Sequence, residues 1–119
     1  MMSFQTDDQA GVIEFTVDGG ITRAEYDQAV EAMEAEIAKH GRISALAEIR
    51  SFTGMELSAW WKDVSWGVTH MNKVRRAAIV TDSGWIEAAT RAGSMVMPAE
   101  VKVFPLGELA AARAWIREA

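Results

Sequence analysis

The side chains that most often carry chemistry are few in this chain and poorly grouped. His40 and His70 are its only histidines, and it has no cysteine. Catalysis by side chains needs a nucleophile beside a base, a carboxylate pair in a cleft, a metal cluster or a cofactor loop. Neither histidine has neighbours at metal-ligand or nucleophile spacing. His40 closes a helix in "AKHG", where an imidazole suits the negative end of the dipole, and His70 falls on the polar side of a later helix. The acidic residues Asp27, Glu31, Glu34 and Glu36 read as the solvated face of the first helix. "DGG" (Asp18–Gly20) precedes a capped helix but lacks the lysine of a phosphate loop and the spacing of a dinucleotide fold. The expectation is a protein that is not an enzyme, with no catalytic residue, metal or cofactor.

A binding surface is better supported. "LSAWWKDVSWGVTHM" sets Trp60, Trp61 and Trp66 along one helical segment. At about 100 degrees per residue, Leu57, Trp60, Trp61, Val64, Gly67, Val68 and Met71 fall within roughly 60 degrees of one direction. That stripe predicts a core face built from Leu57, Trp60, Trp61, Val64 and Val68. Trp66 lies about 160 degrees away, among Lys62, Thr69, His70 and Lys73, with Arg75 and Arg76 following. Three readings stay open for it: packing within the chain, an interface with a partner or a second copy, or contact with an anionic amphiphile. The connection "GSMVMPAE" carries Met95, Val96 and Met97 before Pro98. An apolar loop either covers the core or forms a lid over a ligand, and flexible methionines suit both.

Composition narrows the class. The 119 residues are 50% hydrophobic and 24% charged, with a net charge of −5, which describes one globular domain spanning 1–119. An acidic chain does not suit nucleic acid, whose phosphates need a concentrated basic surface. No apolar run is long enough for a membrane span. The start "MMSFQTDDQAG" lacks the basic and apolar stretches of a signal peptide, so a cytoplasmic location is expected.

The elements that must position these residues alternate between strand-type and helix-type periods. Strands are expected at Met1–Thr6, Gly11–Val17, Ile43–Ile49, Arg76–Thr81 and Val101–Phe104. "DGG" reads as a turn, and Thr22 with Glu25 as a capping box. The helix that follows places Tyr26, Val30, Met33 and Ile37 on one face and stops at Gly41. The tryptophan helix runs from Leu57 to about Met71, a short helix covers Gly84–Gly93, and a last one turns Leu109, Ala112, Trp115 and Ile116 inward. Ile13, Phe15 and Val17 alternate with Glu14 and Thr16, and Ala45, Ala47 and Ile49 with Leu46, Glu48 and Arg50. Such alternation favours helices mainly on one face of the sheet.

In this order, "KHGRISALAEIRSFTGME", the tryptophan helix, "VRRAAIVTDSGWIEAA" and "EVKVFPLGELAAARAWI" resemble the SpoIIAA-like proteins, relatives of the STAS domain of anti-sigma-factor antagonists. The resemblance covers nearly the whole chain. It implies an α/β superhelix with a mixed, mostly parallel sheet of about five strands, and a likeness in shape to lipid-carrying domains of the SEC14 type. Anti-sigma antagonists carry a phosphorylated serine after an aspartate, where this chain has Leu57 after Glu56. Ser58 lies one residue late. Asp82-Ser83-Gly84 follows the next strand along, where Asp or Ser reads as a helix cap. The leading expectation is therefore a regulatory or binding module that meets a protein partner or forms a homodimer. A carrier of a lipid or small apolar molecule, or a peripheral membrane protein, is the alternative. A switch phosphorylated on Ser58 or Ser83 comes third.

Overall fold

The computed structural model describes residues 1–55, 71–94 and 100–118. Five strands make one sheet: β1 (Met2–Asp7), β2 (Val12–Ile21), β3 (Ile43–Met55), β4 (Val74–Thr81) and β5 (Glu100–Phe104), in the order β1-β2-β3-β4-β5. β1 runs antiparallel to β2, and the other pairs are parallel. The described helices are α1 (Arg23–His40), α2 (Gly84–Ser94) and α3 (Leu109–Arg117), with 3-10 turns at Met71–Lys73 and Leu106–Glu108. This is the mixed, mostly parallel α/β sheet that the alternating pattern predicts.

The β2–α1–β3 and β4–α2–β5 units step in the same direction, so right-handed crossovers set α1 and α2 on one face. Because strand side chains alternate, Ile13, Phe15 and Val17 on β2 stand opposite Ala45, Ala47 and Ile49 on β3. They receive Tyr26 and Ala29 of α1, backed by Met33 and Ile37. The residues between them face the other way. Val12, Leu46, Ala78, Val80 and Phe104 close around Ala112 and Ile116 of α3, with Leu109 and Trp115 partly buried at its rim. Ile13, Leu46 and Ile116 are essentially sealed from solvent, each contributing about 1.5–3 kcal/mol through burial. The inward set expected of the last helix is the one observed.

Local signals at α1 behave as their chemistry requires. The Thr22 hydroxyl accepts the Glu25 N–H at 3.2 Å and the Glu25 carboxylate accepts the Thr22 N–H at 3.0 Å, completing the capping box. Gly41, at φ 77, donates its N–H to the Ile37 carbonyl at 2.7 Å, a left-handed stop open to glycine at little cost.

Two expectations need correction. "DGG" is not a turn: β2 continues to Ile21 because β3 runs on to Met55 and pairs with Asp18, Gly19, Gly20 and Ile21 across two register shifts. Ser51 serves the irregular stretch, accepting the Gly19 N–H at 2.8 Å and donating to Asp18 at 2.6 Å. Glu36 does not belong to the solvated face of α1. It is only 3% exposed, since the helical period puts it on the same inward side as Ala29 and Met33. The proposed core residues Leu57, Trp60, Trp61, Val64 and Val68 lie outside the described residues.

Candidate functional site

β3 outruns β4, and the difference makes a cleft. The last residues paired between them are Ile49 and Thr81; beyond them β3 continues against β2 while β4 turns into α2. The space between, about 250 Å³, is lined by Ile49, Arg50, Ser51, Phe52, Thr81, Asp82, Ser83 and Ile86. The carboxyl ends of parallel strands are where open α/β sheets most often hold ligands. Its walls mix apolar side chains (Ile49, Phe52, Ile86) with the polar turn "TDS".

That turn is held by its own hydrogen bonds. Ser83 donates its N–H to the Thr81 hydroxyl at 3.1 Å, and its carbonyl accepts the Glu87 N–H at 3.1 Å, so Ser83 occupies the N-cap position of α2. Asp82 accepts a backbone N–H as the capping reading anticipates. The donor is Leu106, at 3.0 Å, so the carboxylate caps the 3-10 turn before α3 rather than α2. In this way Asp82 fixes the loop after β4 to the loop after β5.

A second cleft, of about 230 Å³, lies on the opposite face between α3 and the first three strands. Register explains its lining. Ser3 stands opposite Thr16, Gln5 opposite Glu14, and Thr16 opposite Glu48, which brings one polar row to one face. Glu14 and Glu48 are each 8% exposed. Arg113 donates to Glu14 at 2.9 Å and Arg117 approaches its other oxygen at 3.3 Å, while Arg50 lies 3.3 Å from Glu48. The alternating pattern marks Glu14 as an outward residue, and it misses that α3 would cover that face. The available signal was Arg113 and Arg117, spaced to share one side of the last helix.

The basic residues Lys73, Arg75 and Arg76 divide in two. Lys73 is exposed just ahead of β4. Arg75 and Arg76 turn instead to the end of α3: Arg75 donates to the Glu118 and Ile116 carbonyls at 2.8 and 3.0 Å, and Arg76 to the Trp115 carbonyl at 2.7 Å. The Arg76 guanidinium also lies 5.0 Å from the Trp115 ring centre. These arginines satisfy the orphan carbonyls of a helix C-terminus and complement its dipole. Trp66, Lys62, His70, Ser58, Met95, Val96 and Met97 lie outside the described residues.

His40 takes up the helix-end position expected of it, but it also has an inward partner. Its Nε2 sits 3.5 Å from the buried Glu36 carboxylate, and its ring lies over Gly11, where an added Cβ would come within 3.2 Å of it. Among the described residues no group of three or more His, Asp or Glu is arranged to hold a metal ion, and no helix is long and apolar enough to cross a membrane.

An antiparallel outer strand, βα units stepping one way and a terminal helix on the far face define a STAS-type α/β module. The chain belongs to the SpoIIAA-like family, whose model matches residues 12–117. It is similar to the crystal structure of an uncharacterised protein of the DUF3478 family, with a SpoIIAA-like fold, from Shewanella loihica PV-4. The two share 28% identity over 98% of this chain and 92% of that one, with a TM-score of 0.76. No curated protein matches the chain.

Proposed function

We propose that this domain is a regulatory or binding module that acts through contact with a protein partner or with its own copy, and not through catalysis. The observation that carries the reading is the free edge of β1. Among the described residues this strand pairs only with β2, most of it is exposed, and Phe4 at its middle is 39% exposed. Its sequence, MSFQTD, has none of the lysines, prolines or bulges that keep an outer strand from pairing with another chain. The charged side chains of the second cleft support the same reading, since they are matched within the chain rather than held ready for a substrate. The side on which the sequence pattern groups Trp66, Lys62, His70 and Lys73 is a second contact surface in this proposal, a large ring with a positive rim.

Sedimentation over a range of concentrations tests it, together with cross-linking mass spectrometry in cells. Association that weakens in Phe4→Lys or Trp66→Ala is the expected result. A monomer at every concentration, with no cross-link reaching β1, Lys62 or Lys73, would overturn the proposal.

A second reading rests on the cleft between β3 and β4, whose apolar walls and position suit a small apolar ligand. At about 250 Å³ it falls just below the usual range for drug-sized ligands. Met95, Val96 and Met97 would close it in this reading. A co-purified molecule in the native mass spectrum, lost in Ile86→Lys, would favour this carrier function over protein contact. Added phosphate mass on Ser83 or Ser58 in cell-derived protein would favour the switch.

A further inference from the structure

The hydrogen bonds of β1 decide which of its backbone groups are still free. The Asp18 N–H donates to the Met1 carbonyl at 2.8 Å, so Met1 and Asp18 form a bonded pair. In an antiparallel ladder bonded and non-bonded pairs alternate, and the register from Met2↔Val17 to Asp7↔Val12 carries that alternation along the strand. Ser3, Gln5 and Asp7 therefore turn their N–H and C=O groups to β2, while those of Met2, Phe4 and Thr6 turn to the open edge. The far side of β2 agrees: Gly11, in phase with Ile13 and Phe15, gives its carbonyl to the Ser44 N–H of β3 at 2.9 Å. Met2 agrees as well, because its N–H donates outward to the Glu25 carboxylate of α1 at 2.6 Å.

That edge has two parts. At its start Glu25, in the first turn of α1, occupies the outward side of Met2. Beyond it Phe4 and Thr6 offer two N–H donors and two carbonyl acceptors, which pair with no other strand among the described residues. The side chains beside them are uncharged or matched. Phe4 stands on the α1 face, its ring centre 6.2 Å from that of Phe15. On the other face Gln5 reaches Glu14 at 3.5 Å, and Asp7, the one charge in MSFQTD, lies 3.4 Å from Arg117.

We propose that β1 pairs with β1 of a second copy, antiparallel about a two-fold axis at Gln5, so that Phe4 of each copy exchanges both backbone bonds with Thr6 of the other. This rests on the protein-contact reading above and adds the partner and the register. A two-fold contact needs a patch that complements itself, and this one does. With the axis at Gln5, Phe4 and Thr6 satisfy all of each other's outward groups. An axis at Phe4 would instead drive the Thr6 carbonyl of one copy onto the Glu25 carboxylate of the other, acceptor against acceptor, and an axis at Thr6 would run the pairing into the turn after Asp7. In the proposed register Phe4 lies beside Thr6 of the other copy on one face. On the opposite face the two Gln5 amides meet, and the Ser3 hydroxyl can donate to Asp7 of the other copy. The ladder ends where Asp8 of one copy nears Met2 and Glu25 of the other, so it is short and belongs with weak, concentration-dependent contacts.

Amide exchange followed by NMR in dilute and concentrated samples reads the pairing residue by residue. Phe4 and Thr6 should lose their protection on dilution, whereas Ser3 and Gln5 keep theirs because β2 holds them. Sedimentation should show a dimer that is lost in Thr6→Pro. That variant gives up only an outward N–H, a place where an edge strand accepts proline, and continued protection of Ser3 and Gln5 shows that it folds. The chain has no cysteine, so single cysteines report the register. A non-bonded antiparallel pair brings its Cα atoms to about 4.5 Å, within disulfide range, so Gln5→Cys should link to itself under mild oxidation and Ser3→Cys should not. Self-linking of Ser3→Cys in place of Gln5→Cys overturns the pairing, as does protection of Phe4 and Thr6 that appears only when a different protein is added. A dimer that sediments while Phe4 and Thr6 exchange freely also overturns it, but leaves the protein-contact reading intact. A monomer at every concentration overturns it too, and the wider reading then falls only if cross-linking in cells reaches none of β1, Lys62 and Lys73.

Discussion

Glu14 and Glu36 are both carboxylates removed from water, at 8% and 3% exposure, and the fold treats them in opposite ways. Glu14 lies between β2 and α3, where Arg113 and Arg117 reach both of its oxygens. Glu36 lies on the inward side of α1, where Asp8, a group of its own sign, raises it, and one of its oxygens makes no hydrogen bond, with the His40 Nε2 3.5 Å away. A buried charge is tolerable when paired and hydrogen-bonded, and otherwise the group holds its proton. Glu14 thus works as a rivet between layers, while the cost of Glu36 depends on pH.

The largest break in this comparison should come from stripping Glu14 of its partners. Arg113→Ala with Arg117→Ala leaves a buried carboxylate without a cation, a loss of about 2–3 kcal/mol once the half-exposed state of the arginines is allowed for. Urea unfolding measures it. A change below about 0.5 kcal/mol would mean that the pairs behave as ordinary surface ion pairs, and the contrast with Glu36 would collapse.

Gly11→Ala comes next, at about 1–2 kcal/mol for a side chain forced into the left-handed region, with the His40 contact at 3.2 Å added. The double variant with His40→Ala separates the two causes. It should recover the steric part and leave the backbone part, and full recovery would show that the backbone conformation itself costs nothing.

Glu36→Gln should go the other way and stabilise the protein, by about 1 kcal/mol near pH 8, because it replaces a buried carboxyl short of partners. Glu36 is raised by the hydrogen bond to Asp8 first and burial second. Its contribution is complete below the ordinary carboxylate range and is lost as pH rises through the raised value. The gain should therefore shrink toward zero near pH 4.5. Chemical denaturation at several pH values checks the trend, and a gain that grows toward acid would reverse the assignment.

Much of the scaffold is legible because it rests on local chemistry. Thr22, Glu25 and Gly41 announce both ends of α1, and the alternation in β2 and β3 announces a sheet with two differing faces. The inward side of α3 follows from Leu109, Ala112, Trp115 and Ile116. What escapes is whatever depends on a distant partner. "DGG" carries the residue types of a turn, and only the length of β3 keeps it in the sheet. Glu36 has the period of a core position and the chemistry of a surface one, and chemistry decided the reading; Glu14 alternates with the core of β2, and nothing local shows that α3 covers its side. Arg75 and Arg76 look like a basic patch until the end of α3 comes to rest beside them. Both clefts draw on segments far apart in the chain, which no local pattern brings together.

Glu25 sharpens the comparison with the smallest effect and the clearest sign. It is a third carboxylate at an element boundary, and its partners are N–H donors. The Met2 N–H of β1 donates to one oxygen at 2.6 Å, and the Thr22 N–H and hydroxyl donate to the other at 3.0 and 3.1 Å. These bonds favour the ionised form and lower Glu25, the Met2 bond most. Its stabilising contribution is thus present above the ordinary carboxylate range and is lost as pH falls, the reverse of Glu36. Thr22→Ala removes one half of the capping box and should cost about 1 kcal/mol. Glu25→Gln keeps the size of the side chain but gives up the charge that the N–H donors favour. Its deficit should therefore be plain near neutral pH and fade only as pH falls below the ordinary carboxylate range, whereas the gain from Glu36→Gln is largest at high pH and also fades toward acid. The two difference curves should leave a common baseline at low pH with opposite signs. Curves of the same sign would show that a third group, rather than the partners of each carboxylate, sets the pH dependence of this fold.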